Sequence, residues 1–189
     1  MTAKSTNTKV VTPKEELVRF SYAHVFKPVA IEEGAEPKYS VAVLVPKKNK
    51  KTLQKLKAAI EIAKKEGAPM YGKTSAAGLK LPLRDGDIER PDDAAYAGMY
   101  FFNATTKLKP GVVDEFSEDI INPSDFYSGC WGRVSVRFYP FAKGGNKGVA
   151  AGLNHVMKIA DGDNLSGATS AQDDFEDDDD DDDDDDLLG

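Results

Sequence analysis

Cysteine is nearly missing from this chain: Cys130 is the only one among 189 residues. No intramolecular disulfide can form, and no CxxC pair can grip a metal. Histidine is almost as scarce. His24 and His155 stand far apart and lack a ligand-like cysteine pattern, so each reads as a strand residue. No apolar run approaches membrane-spanning length, and the opening MTAKSTNTKVVTPKEE has no apolar signal core. A soluble protein of a reducing cytoplasm is expected. No nucleophile–base constellation is present, so neither enzyme activity nor a cofactor or metal is expected.

The most telling absence is local. Residues 126–160 contain no Asp or Glu, although acids are common on both sides, and they carry Arg133, Arg137, Lys143, Lys147 and Lys158. The first half alternates with period two, the mark of a β-strand with two unlike faces. Cys130, Gly132, Val134, Val136 and Phe138 make one face, which is core material. Trp131, Arg133, Ser135, Arg137, Tyr139 and Phe141 make the other. Bases stack on rings and phosphates pair with guanidinium groups, so the second face suits single-stranded nucleic acid. The bland alternative is a strand whose rings cover a second layer while its arginines sit in water.

The formal charge of −7 averages two unlike parts. Residues 173–189, DDFEDDDDDDDDDDLLG, hold 13 acids and no base, a charge of −13. Residues 1–172 keep the other 19 acids against 25 Lys and Arg, a charge of +6. Such asymmetry marks a basic binding body with an acidic interaction tail. The tail cannot bury a core and is expected to be disordered when free. Phe175, Leu187 and Leu188 offer partners an apolar anchor, and the polyanion can compete with nucleic acid for the basic face.

Residues 1–16 lack periodicity and read as a mobile segment. A domain over 17–160 follows, then a flexible linker over 161–172 and the tail. Residues 18–31 read as a first strand with Val18, Phe20, Tyr22, His24 and Phe26 on one face, and 38–46 as a second. A helix is predicted at about 52–66, with Leu53, Leu56, Ile60 and Ala63 as its apolar stripe and lysines on its polar side. Gly67 and Pro69 end it. Residues 68–97 have little periodicity and read as a poorly ordered excursion, functional or mobile. Residues 98–108 resume as a strand whose facing is ambiguous, which leaves Phe101 and Lys107 as weaker binding candidates. KGGNKG at 143–148 is a hairpin turn, and Gly148, Ala150, Gly152 and Asn154 of the last strand are small enough to let a ligand backbone lie close.

Two motifs compete with the binding reading. Gly67–Thr74, GAPMYGKT, matches the phosphate-loop pattern GxxxxGK[ST] in full, with Gly72, Lys73 and Thr74 in place. That mechanism needs a buried strand before the loop and a helix after it, whereas here a helix precedes it. Asp85, Asp87 and Glu89 could ligate a metal, but the calcium-loop pattern fails: Arg90 and Tyr96 occupy the positions of its glycine and closing glutamate. Solvated acids in a turn are the simpler reading. A nucleotide-hydrolysing enzyme and an acidic-tail chaperone of basic proteins stand as the alternative functions.

Four segments in order and spacing carry a resemblance: PLRDGD at 82–87, YFFNATTKLKPGVVD at 100–114, FYSGCWGRVSVRFYPF at 126–141 and GNKGVAAGLNHVMKIADGDNLSG at 145–167. Together they resemble the phage-encoded single-stranded-DNA-binding proteins, whose domain was long catalogued as uncharacterised. The resemblance implies an OB-type β-barrel that coats single strands in phage replication and recombination, in the host cytoplasm, without catalytic residues. It also implies replication or recombination proteins as tail partners. Tails of similar kind often finish on an aromatic residue, whereas this one ends Leu187, Leu188, Gly189. The pattern of about five strands with one helix after the second fits that barrel. Trp131, Tyr139 and Phe141 are then the expected stacking residues, and Arg133, Arg137, Lys143, Lys147 and Lys158 the expected phosphate ligands. A homo-oligomer is compatible with all of this.

Overall fold

The computed structural model describes residues 8–166. Five long strands close into a barrel: β2 (Val18–Val29), β3 (Lys38–Pro46), β5 (Met99–Thr106), β7 (Trp131–Lys143) and β8 (Asn146–Ala160). Round the barrel the order is β7–β2–β3–β5–β8, and β8 returns to β7. All neighbours are antiparallel except β5 and β8, whose parallel pairing at Ala104–Ala151 and Thr105–Gly152 shuts the cylinder. Three short strands extend it: β1 (Lys9–Val11) pairs with β7, β4 (Arg84–Asp85) with β5, and β6 (Gly111–Val113) with β8. The expected barrel of about five strands is therefore present, and among the described residues the three short strands widen its sheet to eight.

Alternation places the core. Phe20, Val41, Val43, Val45, Phe102, Ala104, Val134, Val136, Phe138, Ala151 and Leu153 point inward and are buried. The helix α1 (Lys50–Glu66) follows the second barrel strand and buries Leu53, Leu56, Ala59, Ile60 and Ala63 in the same cluster. Removing a side chain as enclosed as Leu56 costs about 2–5 kcal/mol, because transfer energy and a cavity are lost together. Lys64 and Lys65 sit in its last turn, where the helix dipole favours cations.

Residues 8–16 are built into the fold and correct the expectation of a loose N-terminal segment. Val10 and Thr12 are buried, and β1 runs along β7 from Lys9–Arg137 to Val11–Ser135. Glu16 caps α1: its carboxylate accepts from Lys51 N at 2.8 Å and Thr52 N at 3.2 Å. Asn49, the residue before the helix, offers no side-chain cap of its own. Its Nδ2 donates instead to Leu17 O at 2.9 Å.

The 68–97 excursion is also ordered, in small pieces that pack on the barrel. Tyr71, in the single-turn helix α2 (Ala68–Tyr71), donates its buried hydroxyl to Gly148 O at 2.8 Å. Lys80 joins the β8 edge, donating to Lys147 O at 2.8 Å and accepting from Val149 N at 2.9 Å. A Cβ on Gly148 would collide with the Lys80 backbone, so the small residue admits the protein's own chain here, not a ligand. β4 and the helical turn α3 (Gly86–Glu89) then form a strap held by Lys47, whose Nζ lies 2.8 Å from Asp85 and 2.7 Å from Asp87. Of the acids read as turn residues or metal ligands, Asp85 and Asp87 are thus engaged by a lysine, and Glu89 lies 3.7 Å from Arg84.

Candidate nucleic-acid interface

The outer surface of the barrel is built by register. His24, Ser40, Thr105, Gly152, Arg137 and Lys9 are successive partners across β2, β3, β5, β8, β7 and β1. Each sits on the side opposite the core. β7 behaves as its alternation predicts: Trp131, Arg133, Ser135, Arg137, Tyr139 and Phe141 all face outward, half-buried or exposed. Tyr139 pairs with Ala150 and Phe141 with Gly148. A Cβ on Gly152 would stand 3.5 Å from the Tyr139 ring, so the glycine leaves room beside that ring rather than crowding it.

The proposed binding residues divide into two groups. At the hairpin end, Arg137, Tyr139 and Lys143 are exposed and Phe141 is half-buried. Among the described residues no ion pair or side-chain hydrogen bond engages Arg137 or Lys143. At the other end the side chains already have partners. Arg133 donates Nε–H to Thr12 O at 2.8 Å. Trp131 carries the Arg19 guanidinium 5.5 Å from its ring centroid and has Gly162 against its edge. Lys158 pairs with Asp161 at 2.7 Å and lies over the Tyr127 ring. Burial opposes the charge on Lys158, but the hydrogen bond and negative charge of Asp161 outweigh it and raise the lysine's pKa. Lys147 donates to Tyr71 O at 3.0 Å beside the hairpin.

Phe101 and Lys107 separate from this surface. Phe101 faces outward from β5 but is only 2% exposed. Tyr96 packs on it edge-on at 5.0 Å, and Arg90 covers it from 5.8 Å. Its ring is not offered to a base. Lys107 is in the loop after β5, paired with Glu36 at 3.0 Å. Phe175, Leu187 and Leu188 lie outside the described residues. The Gly67–Thr74 motif spans the end of α1, α2 and the turn beyond, with no strand in front of it. The alternating pattern also misread β2. A bulge between Ser21 and His24 puts Tyr22 at φ 46° and turns its ring outward, 55% exposed, while Phe20 and Val25 face the core. An aromatic in the left-handed region is uncommon enough to mark a site. The sequence contains no glycine or turn signal there that foretells it.

A closed five-stranded barrel with a helix after its second strand and a basic, aromatic outer face is an oligonucleotide-binding barrel of OB type. The chain belongs to the phage family described as "Enterobacter phage Enc34, ssDNA-binding protein", which matches residues 8–188. It is 31% identical over 157 residues to protein p50 of Acyrthosiphon pisum secondary endosymbiont phage 1, covering 79% of this chain and 84% of that protein. The single-stranded DNA-binding protein of bacteriophage Enc34, solved with ssDNA, superposes with a TM-score of 0.73 at 28% identity, over 85% of this chain and 90% of that one. The gp2.5 single-stranded DNA-binding protein of bacteriophage T7 shares the fold at a TM-score of 0.57 and 15% identity, over 89% and 93% of the two chains. The family is one of DNA binders rather than enzymes.

Proposed function

We propose that this protein coats single-stranded DNA during phage replication and recombination by stacking and phosphate pairing, without chemistry. The observation that carries the reading is the acid-free outward face of β7, set on a barrel of this family. Tyr139 and Phe141 stack on bases at the open end, and Arg137 and Lys143 take the adjoining phosphates. Trp131, Arg133, Lys147 and Lys158 continue the track where they exchange their present contacts for the strand. Stacking tolerates any base, because every base has a π-face, and the basic residues follow the backbone.

In this reading the acidic tail, residues 173–189, competes with DNA for the basic face. Once displaced, it offers Phe175, Leu187 and Leu188 to replication or recombination proteins. The described chain runs to Ser166, which lines a cavity on the barrel together with Tyr22. Filter binding with single-stranded and duplex DNA, with and without ATP and magnesium, is the test. Tight binding of single strands alone, independent of ATP, is the expected result. Equal affinity for duplex removes the stacking mechanism, and an ATP requirement restores the nucleotide-hydrolysing alternative.

A further inference from the structure

A cavity of about 410 Å³ opens beside the β2 bulge, lined by Ser21, Tyr22, His24, Asp93, Ser128 and Leu165 among others. Such a volume lies within the ~300–1,000 Å³ range of small-ligand pockets. Its position follows from the bulge. Ala23 N donates to Ser128 Oγ at 3.1 Å, and Gly129 N to Phe20 O at 2.7 Å, which holds the β2 backbone against the 128–129 turn. Between those ties Tyr22 is forced to φ 46° with its ring presented to solvent. A strained backbone at an exposed aromatic costs free energy in the fold, and nothing in the core uses that ring.

The cavity wall is polar in a defined sense. Asp93 accepts from Ala95 N at 3.1 Å through Oδ1, which fixes the carboxylate as the cap of the 94–96 turn. Among the described residues its Oδ2 has no hydrogen-bond partner. Ser21 is tied to the Tyr96 hydroxyl. An ionised carboxylate only accepts hydrogen bonds. A base stacked on Tyr22 is therefore favoured when the edge it turns to Asp93 carries N–H donors. Guanine presents two such donors side by side, whereas thymine presents one between two carbonyl acceptors that a carboxylate repels.

We propose that this cavity is a single-base pocket: Tyr22 stacks one base drawn out of the coated strand, and Asp93 selects guanine over thymine there. The inference rests on the single-strand-binding reading and adds a specificity element to it. The cavity adjoins His24, the first residue of the register row that ends at Arg137 and Lys9, so a strand following that row starts at the pocket.

The test uses the full chain and two probes, oligo(dT) and the same oligonucleotide with one central dG, read by fluorescence anisotropy. The dG probe is expected to bind about tenfold tighter, the scale of one good bidentate base contact. Asp93→Asn keeps the Oδ1 cap but puts a donor where Oδ2 stands, and it abolishes the dG advantage. Tyr22→Gly is the second variant. Glycine accepts φ 46° without strain. Its thermal midpoint is therefore unchanged or higher while binding of the dG probe falls, a combination that a merely structural role of Tyr22 does not produce. Equal affinity for the two probes in the native protein overturns the inference while leaving single-strand binding in place. Failure to bind oligo(dT) at all overturns both.

Discussion

Arg19 lies over the Trp131 ring, 5.5 Å from guanidinium carbon to centroid, and its nitrogens donate to Gly129 O at 3.0 Å and Asp163 O at 2.9 Å. One side chain thus clamps the start of β7 to the segment after β8, with the indole between them. Residues 161–166, expected to be a flexible linker, are drawn onto the barrel by this contact and by Leu165 N to Ser128 O at 2.8 Å.

The two rings of β7 are therefore expected to respond differently to deletion. Tyr139→Ala should weaken single-strand binding by about 1–3 kcal/mol, the worth of one stacked base, with the melting temperature unmoved. Trp131→Ala should weaken binding and also lower the melting temperature, since it unseats Arg19 and Gly162. Binding isotherms and thermal melts of both variants measure this. A Tyr139→Ala protein with native affinity would assign stacking elsewhere. Trp131 is the only tryptophan, so its fluorescence also reports whether DNA reaches that end.

Arg137 is an exposed cation with no ion-pair partner among the described residues, on a register row that crosses the barrel. Replacing it with alanine should weaken binding to all sequences alike and reduce the slope of log K against log salt by about one, through one fewer released counterion. Lys107→Ala, which breaks only the Glu36 pair, should leave the slope unchanged. Identical slopes for native and Arg137→Ala protein would remove Arg137 from the phosphate track.

Removal of residues 173–189 deletes 13 negative charges held near a body of net +6. A short tether gives an effective concentration on the order of millimolar, enough to populate a weak contact. The truncated protein should bind single strands tighter, most of all at low salt, and the gain should shrink as screening grows. A salt series of isotherms for both proteins decides it. Coincident curves at every salt concentration would reduce the tail to a solubility device.

The strap over β3 and β5 should be acid-labile. The hydrogen bond from Lys47 first, and the backbone N–H of Gly98 second, hold the Asp87 carboxyl below its ordinary value of 3.8. A depressed folded pKa stabilises at pH above the unfolded value and is lost as pH falls through the folded one. Asp87→Asn should therefore melt below the native protein at neutral pH, and the difference should close at pH below 3.8. A difference in melting temperature that persists unchanged into strong acid would show that Asp87 acts through something other than this ion pair.

Much of this protein is legible in one dimension. Alternation along 131–141 settles which side of β7 is core, because a strand's side chains must alternate and the apolar set must leave water. The stripe of Leu53, Leu56, Ile60 and Ala63 settles α1 in the same way, and Gly144 and Gly145 at positive φ close the hairpin where the sequence places it. The missing acids of 126–160 mark the basic face without any fold at all. What alternation cannot specify is the company a side chain keeps. Phe101 points outward yet is buried, because Tyr96 and Arg90 from a stretch without periodicity fold over it. Glu16 reads as part of a loose terminus until α1 brings its unpaired N–H groups to the carboxylate. Tyr22 keeps the period of its strand in sequence and loses it at a bulge, which is set by Ser128 and Gly129 more than a hundred residues away. Local pattern determined the elements and their faces, since these depend on neighbours two to four residues apart. Closure of the barrel decided which of the outward residues remain free to meet DNA, since that depends on contacts made only after distant strands have paired.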